Sequence, residues 1–176
     1  DMAYPSVQAR ATGRTGTSKV TSHAITLPAN IQAGELLLVV FGCDGNQTIS
    51  INTGVSGSKW NLSAKGNYSS TVSSVFVWKI AEGNDALTLT TGAGEQSSHV
   101  SFRISGGYSV SGTNSNGSGT NSDPPNHTGH DGEQDYLWIA TRAGDSTVVA
   151  SAAPANYGNL QTIAAAGTSG ASTNTA

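Results

Sequence analysis

The chain has 176 residues, a charged fraction of 11% and a formal net charge of −3. That length supports a buried core without disulfide staples, and the low net charge lacks the usual signature of a disordered chain. The dispersed Lys and Arg argue against a nucleic-acid surface, and the longest apolar run, Leu36 to Phe41, is far too short for a helical membrane span.

Apolar residues make up 36%, below the roughly 45–50% usual for a globular domain. Ser and Thr fill about a quarter of the chain, and 22 residues are Gly. The apolar residues gather in short blocks separated by Gly, Ser, Asn and Asp, which is how an all-β chain is patterned. Thr and Val fit strands, and Gly and Asn fit the turns between them.

The first predicted strand is Thr21 to Leu27, with His23, Ile25 and Leu27 on one face. Pro28, Asn30 and Gly34 break the pattern before Glu35 to Cys43, where every position from Leu36 to Phe41 is apolar. An uninterrupted run of this length predicts a strand covered on both faces. Asp44-Gly45-Asn46 is a hairpin turn signal. Short strands are expected over Thr48 to Asn52 and Trp60 to Lys65. In Val72 to Ile80, Phe76, Trp78 and Ile80 point one way and Val75, Val77 and Lys79 the other.

After a turn at Glu82-Gly83-Asn84-Asp85, Ala86 to Thr91 alternates Leu with Thr. Gln96 to Ile104 alternates again, with Val100, Phe102 and Ile104 inward and Ser101 and Arg103 outward. Residues 106–135 carry few large apolar side chains and read as a long polar loop. Tyr136 to Thr141 is expected to return to strand, with Tyr136, Trp138 and Ala140 on one face. Further strands are expected at Thr147 to Ser151 and Leu160 to Ala165, and residues 167–176 are expected to extend or fray. The expected fold is one all-β domain over residues 1–176, an antiparallel β-sandwich of jelly-roll type.

Few residues carry chemistry. His127, His130 and Asp131, with Asp123 before them, form the most metal-like cluster, but a loop fixes no ligand geometry, and no metal site is expected. Asp44 with Asn46, and Asp145 with Ser146, offer calcium oxygens without the spacing of a calcium loop, and turn chemistry accounts for them. Glu95, Ser97, Ser98 and His99 lack the strand–turn–helix context of a nucleophile elbow. Cys43, the single cysteine, ends an apolar block and reads as a buried thiol with no base beside it. Sequons beginning at Asn46, Asn61, Asn67, Asn116 and Asn126 are expected by chance in so Asn- and Ser-rich a chain. No enzyme and no cofactor is therefore expected. Aromatic rings can stack on sugars; Trp78 and Trp138 alternate with their strands and read as core. Trp60 and Tyr157 lie beside loops and are the expected contacts for a glycan.

The blocks Tyr4-Pro5-Ser6-Val7-Gln8-Ala9-Arg10-Ala11-Thr12-Gly13, Thr21 to Pro28, Gly34 to Phe41, Ala81-Glu82-Gly83, Glu95 to Val100, Asp135 to Ala140 and Pro154-Ala155-Asn156-Tyr157 together resemble a family of tailed-bacteriophage virion proteins. The resemblance covers most of the chain in order. It implies a virion location and a structural role, chiefly as a head decoration or cement protein on the major capsid protein. It also implies a homo-oligomer, a trimer by analogy, and a pattern continuing past Ala176; from the charge distribution and the short apolar run, no nucleic acid or membrane partner is expected. The alternative it leaves open is a tail or fibre domain that binds host-surface glycans.

Overall fold

The computed structural model describes residues 4–52, 59–68, 70–107, 109–115, 125, 127–129, 136–166 and 171–175. Every regular element among them is a strand: β1 (Ser6–Arg14), β2 (Val20–Ala24), β3 (Leu36–Asp44), β4 (Ile49–Ile51), β5 (Asn61–Tyr68) and β6 (Val72–Ile80). They are followed by β7 (Thr88–Glu95), β8 (Ser97–Ser105), β9 (Thr141–Asp145), β10 (Gln161–Ala164) and β11 (Ala171–Thr175). All pairings are antiparallel. The fold is an all-β antiparallel sandwich.

A central sheet has the order β1-β8-β3-β6-β5, and the apolar run of β3 explains its depth. Leu37, Val39, Phe41 and Cys43 enter one core with Val75, Val77, Ile49 and Leu89. Leu36, Leu38 and Val40 enter a second core on the opposite face, with Val100, Phe102 and Ile104. Each such fully buried aliphatic side chain contributes about 1.5–3 kcal/mol. The sheet β2-β7-β4 covers the first face, and β10-β11-β9 lies over the second. Strands pair in a nested series, β1 with β8, β2 with β7 and β3 with β6, while β5 joins β6 rather than β4.

Several sequence expectations need correction. Ser6–Arg14 is a strand with no large apolar residue except Val7, and pairing with β8 along its length places it. Ser101 does not face outward: it is fully buried on the first face, its hydroxyl donating to the Thr26 carbonyl at 2.6 Å. Residues 136–140 and 147–151 are not strands. The described part of the tail does not fray, since Ala171–Thr175 is buried at the centre of its sheet. Polar packing makes that possible. Ser98 Oγ meets Thr173 Oγ1 at 2.8 Å, and Thr173 Oγ1 donates to the Ser98 carbonyl at 3.0 Å. A Cβ added at Gly42 would stand 3.0 Å from both Ala143 Cβ and Thr173 Oγ1, so the absent side chain sets how closely these layers approach. Much of the predicted loop 106–135 lies outside the described residues, but within it Val110 packs on the second core.

Candidate functional site

Ile139 packs into the second core and Ala140 is buried. These two anchors hold the preceding residues at the surface, where Tyr136, Leu137 and Trp138 are all exposed, Trp138 by 45%. Trp138, predicted for the core, is thus the most exposed aromatic of this segment. The indole is held in place from two sides. Its ring centroid is 5.9 Å from that of His127 at 81°, an edge-to-face contact, and 5.7 Å from that of Tyr136 with the rings tilted at 43°; ring contacts of this kind favour a defined orientation. His127 in turn shares a 3.2 Å hydrogen bond with Ser111 Oγ.

Beside Trp138 opens a groove of about 360 Å³, at the small end of ligand sites, which run to roughly 300–1,000 Å³. Arg10 of β1 and Phe102 of β8 line it, with the Arg10 guanidinium 5.8 Å from the Phe102 ring centroid. The turn Asn156-Tyr157-Gly158-Asn159 lines it as well. Asn156 and Asn159 hold φ of 68° and 56° there, a conformation asparagine tolerates better than most residues. The Tyr157 amide donates to the Pro154 carbonyl at 3.1 Å, closing the turn that presents the phenol. Thr175 also lines the groove, and its hydroxyl is buried without a hydrogen-bond partner among the described residues. The ensemble offers aromatic faces for the C–H surface of a ring, with amides and a guanidinium for its polar edge.

The two predicted glycan contacts therefore part company. Tyr157 lines the groove. Trp60 does not: it is only 8% exposed, sits in the first core, and donates from Nε1 to the Ala86 carbonyl at 3.0 Å. Its place beside a loop misled, because an aromatic that opens a strand can turn inward as readily as outward.

The Ser- and His-rich region assembles differently from its sequence order. Ser97 Oγ lies 2.8 Å from Nδ1 of His23, not from His99, and His23 Nε2 bonds Thr91 Oγ1 at 3.0 Å. Both members of the Ser97–His23 pair are buried, so no substrate reaches the hydroxyl in this conformation. His99 Nε2 accepts the Thr26 amide at 2.9 Å. Burial, and then the neighbouring His23, push the His99 imidazole down to about 4; burial also lowers His23. These imidazoles are neutral polar links between layers.

Asp44 and Asp145, whose turns were expected to be explained by turn chemistry rather than calcium, do meet. Burial, then the Asp44 charge and a hydrogen bond with Asp44, raises the Asp145 carboxyl above the usual range. A cation already serves this corner, because Lys19 Nζ lies 3.3 Å from Asp44 and 2.9 Å from Glu95. The turn residues bond locally: Asn46 Oδ1 accepts from Asn67 at 2.7 Å and Ser146 Oγ accepts the Val148 amide at 3.2 Å. Among the described residues no group of three metal-ligating side chains converges. Asp123, His130 and Asp131 of the loop cluster expected not to form a metal site, and Asn116 and Asn126 of the sequons, lie outside the described residues.

Cys43 is buried, and burial first, then the Glu95 and Asp44 charges, pushes its thiol up to about 12. Only the thiolate attacks electrophiles. The native protein is therefore expected to leave a disulfide reagent such as DTNB unreduced at pH 8 and to react with one equivalent after denaturation in guanidinium. Rapid stoichiometric labelling of the native chain would contradict this burial.

Compared with family models, with curated proteins and with solved structures, the chain matches none of them.

Proposed function

We propose that this chain is a non-enzymatic binding domain of a tailed-phage particle that holds host-surface carbohydrate in the groove beside Trp138. One observation carries the reading: an indole 45% exposed and fixed by His127 and Tyr136 flanks a groove with Arg10, Asn156, Tyr157 and Asn159. Sugars present an apolar C–H face and a rim of hydroxyls, and this lining offers a partner to each. The particle location rests on the resemblance of the sequence blocks. The nested strand pairs are read as jelly-roll winding, with β5 displaced from β4 to β6.

A glycan array probed with the native chain tests the reading. Trp138→Ala is expected to weaken the strongest interaction by at least about tenfold, the cost of one lost stacking contact of roughly 1.4 kcal/mol, and to leave thermal stability nearly unchanged. Native-strength binding by that variant sinks the groove as the site.

A second reading is a head decoration or cement protein, assembled as a homo-oligomer on the major capsid protein. The exposed Val148, at 56%, and Val149 after β9 favour it, since adjacent exposed aliphatic residues are commonly covered in an assembly. Its test is the protein's stoichiometry and position in purified particles; its absence from heads removes this reading.

A further inference from the structure

We infer that the groove selects a saccharide carrying a carboxylate, such as a uronic or sialic acid, and sets that carboxylate on Arg10. The inference rests on the carbohydrate reading above and adds the charge of the ligand to it. Arg10 is the single charged side chain among the described residues that line the groove, and no acidic residue is among them. The chain as a whole is acidic, with a net charge of −3, so a cation standing alone in a groove is not a general property of this surface.

Other basic side chains have work within the fold. Arg14 donates to the Ala164 carbonyl, Arg103 pairs with Glu35, and Lys79 pairs with Asp85. Arg10 pairs with no carboxylate among the described residues, and its guanidinium lies over the Phe102 ring at 5.8 Å. That contact restrains the planar fork without using its N–H groups, which leaves a bidentate donor for a ligand carboxylate. Val7, Phe102, Leu137 and Ile139 make the surroundings apolar, and a less polar setting strengthens a charge-assisted hydrogen bond. A neutral sugar stacked on Trp138 shields the guanidinium from water and gives it no anion in return. Discrimination therefore comes from both sides.

The test is an array of matched pairs, each neutral glycan beside its uronic or sialic acid counterpart, with titration calorimetry on the best pair. The native chain is expected to bind the acidic member on the order of ten- to a hundredfold more tightly, the range for a hydrogen bond to a charged group. Raising NaCl from low to high concentration narrows that preference. Arg10→Gln brings the acidic member to the level of the neutral one, and Arg10→Lys, which keeps the charge without the fork, retains part of the preference. Trp138→Ala weakens both members alike. Binding that needs Trp138 but ignores ligand charge overturns this inference and leaves the carbohydrate reading intact. No binding to any member by a folded chain overturns both.

Discussion

Replacing Asp85 with alanine is expected to cost the fold about 3–5 kcal/mol, the usual penalty for removing one partner of a buried ion pair. The Lys79 and Asp85 side chains are 3% and 0% exposed, with Nζ 2.7 Å from Oδ1. Asp85 also caps its own turn, since Oδ2 accepts the amides of Glu82 and Gly83 at 2.9 and 3.0 Å. Burial works to lower the Lys79 ammonium, and the hydrogen bonds to Asp85 and Glu82 outweigh it, so the group stays charged. Without Asp85 that charge faces the Trp60 ring, 5.9 Å away, and the partly solvated Glu82.

Glu82 supplies the control. It also reaches Lys79, at 3.2 Å, but its side chain is 58% exposed, and exposed pairs contribute about 0–1 kcal/mol. Urea denaturation of Asp85→Ala and Glu82→Ala is expected to separate them by several kcal/mol. Equal and small losses contradict the burial of Lys79. The doubly apolar variant Lys79→Met with Asp85→Ala is expected to recover part of the loss, because it leaves no stranded charge.

Acidification is expected to weaken the fold before any carboxylate chemistry takes over. An imidazole whose folded value is depressed takes up fewer protons in the folded state than in the unfolded one. Its contribution is complete above the unfolded value of 6.5 and is lost as the pH falls toward the folded value, about 4 for His99. At about 1.36 kcal/mol per pH unit, His99 alone accounts for about 3 kcal/mol across that window. His23 adds loss in the same direction, since its imidazole is also lowered by burial. Asp145 titrates in the opposite sense: its raised carboxyl disfavours the folded state above the folded value and is relieved below it. Urea midpoints at pH 7, 6, 5 and 4 are expected to fall steadily. In His99→Gln, whose amide oxygen can accept the Thr26 amide in place of Nε2, the fall is expected to be shallower. A flat profile between pH 6.5 and 4.5 contradicts the buried, neutral state of these imidazoles.

Strong alternation made part of this fold legible. Val72–Ile80 has the predicted bounds and faces, and the unbroken apolar run from Leu36 marked a strand buried on both sides. What escaped was built from small and polar residues. Ser6–Arg14 offers pairing groups rather than bulk, and Ala171–Thr175 is buried through hydroxyl contacts to Ser98 instead of apolar contact. Neither produces a hydrophobic period.

The site was legible only in part, because exposure depends on which neighbours cover a ring. Tyr157 was expected beside a ligand and lines the groove. Trp60 was expected there too and is enclosed by the first core. Trp138 was expected in the core, on the premise that residues 136–141 alternate as a strand. The chain there is instead irregular, anchored by Ile139 and Ala140, and the indole is left outside. The role proposed for Arg10 has no sequence signal, since the groove residues other than Val7 lie far from it along the chain.

The groove is tested most directly by the three indole N–H signals of the 15N-labelled chain, followed while the strongest saccharide from the array is titrated in. Trp60 Nε1 is bonded to the Ala86 carbonyl and Trp78 Nε1 to Ser63 Oγ, so these two are expected to stay still. The Trp138 signal is expected to move in a saturable way, together with the backbone amides of Asn156, Tyr157 and Asn159. Saturable binding that leaves the Trp138 signal in place, and shifts residues elsewhere on the sandwich, contradicts the assignment of this groove.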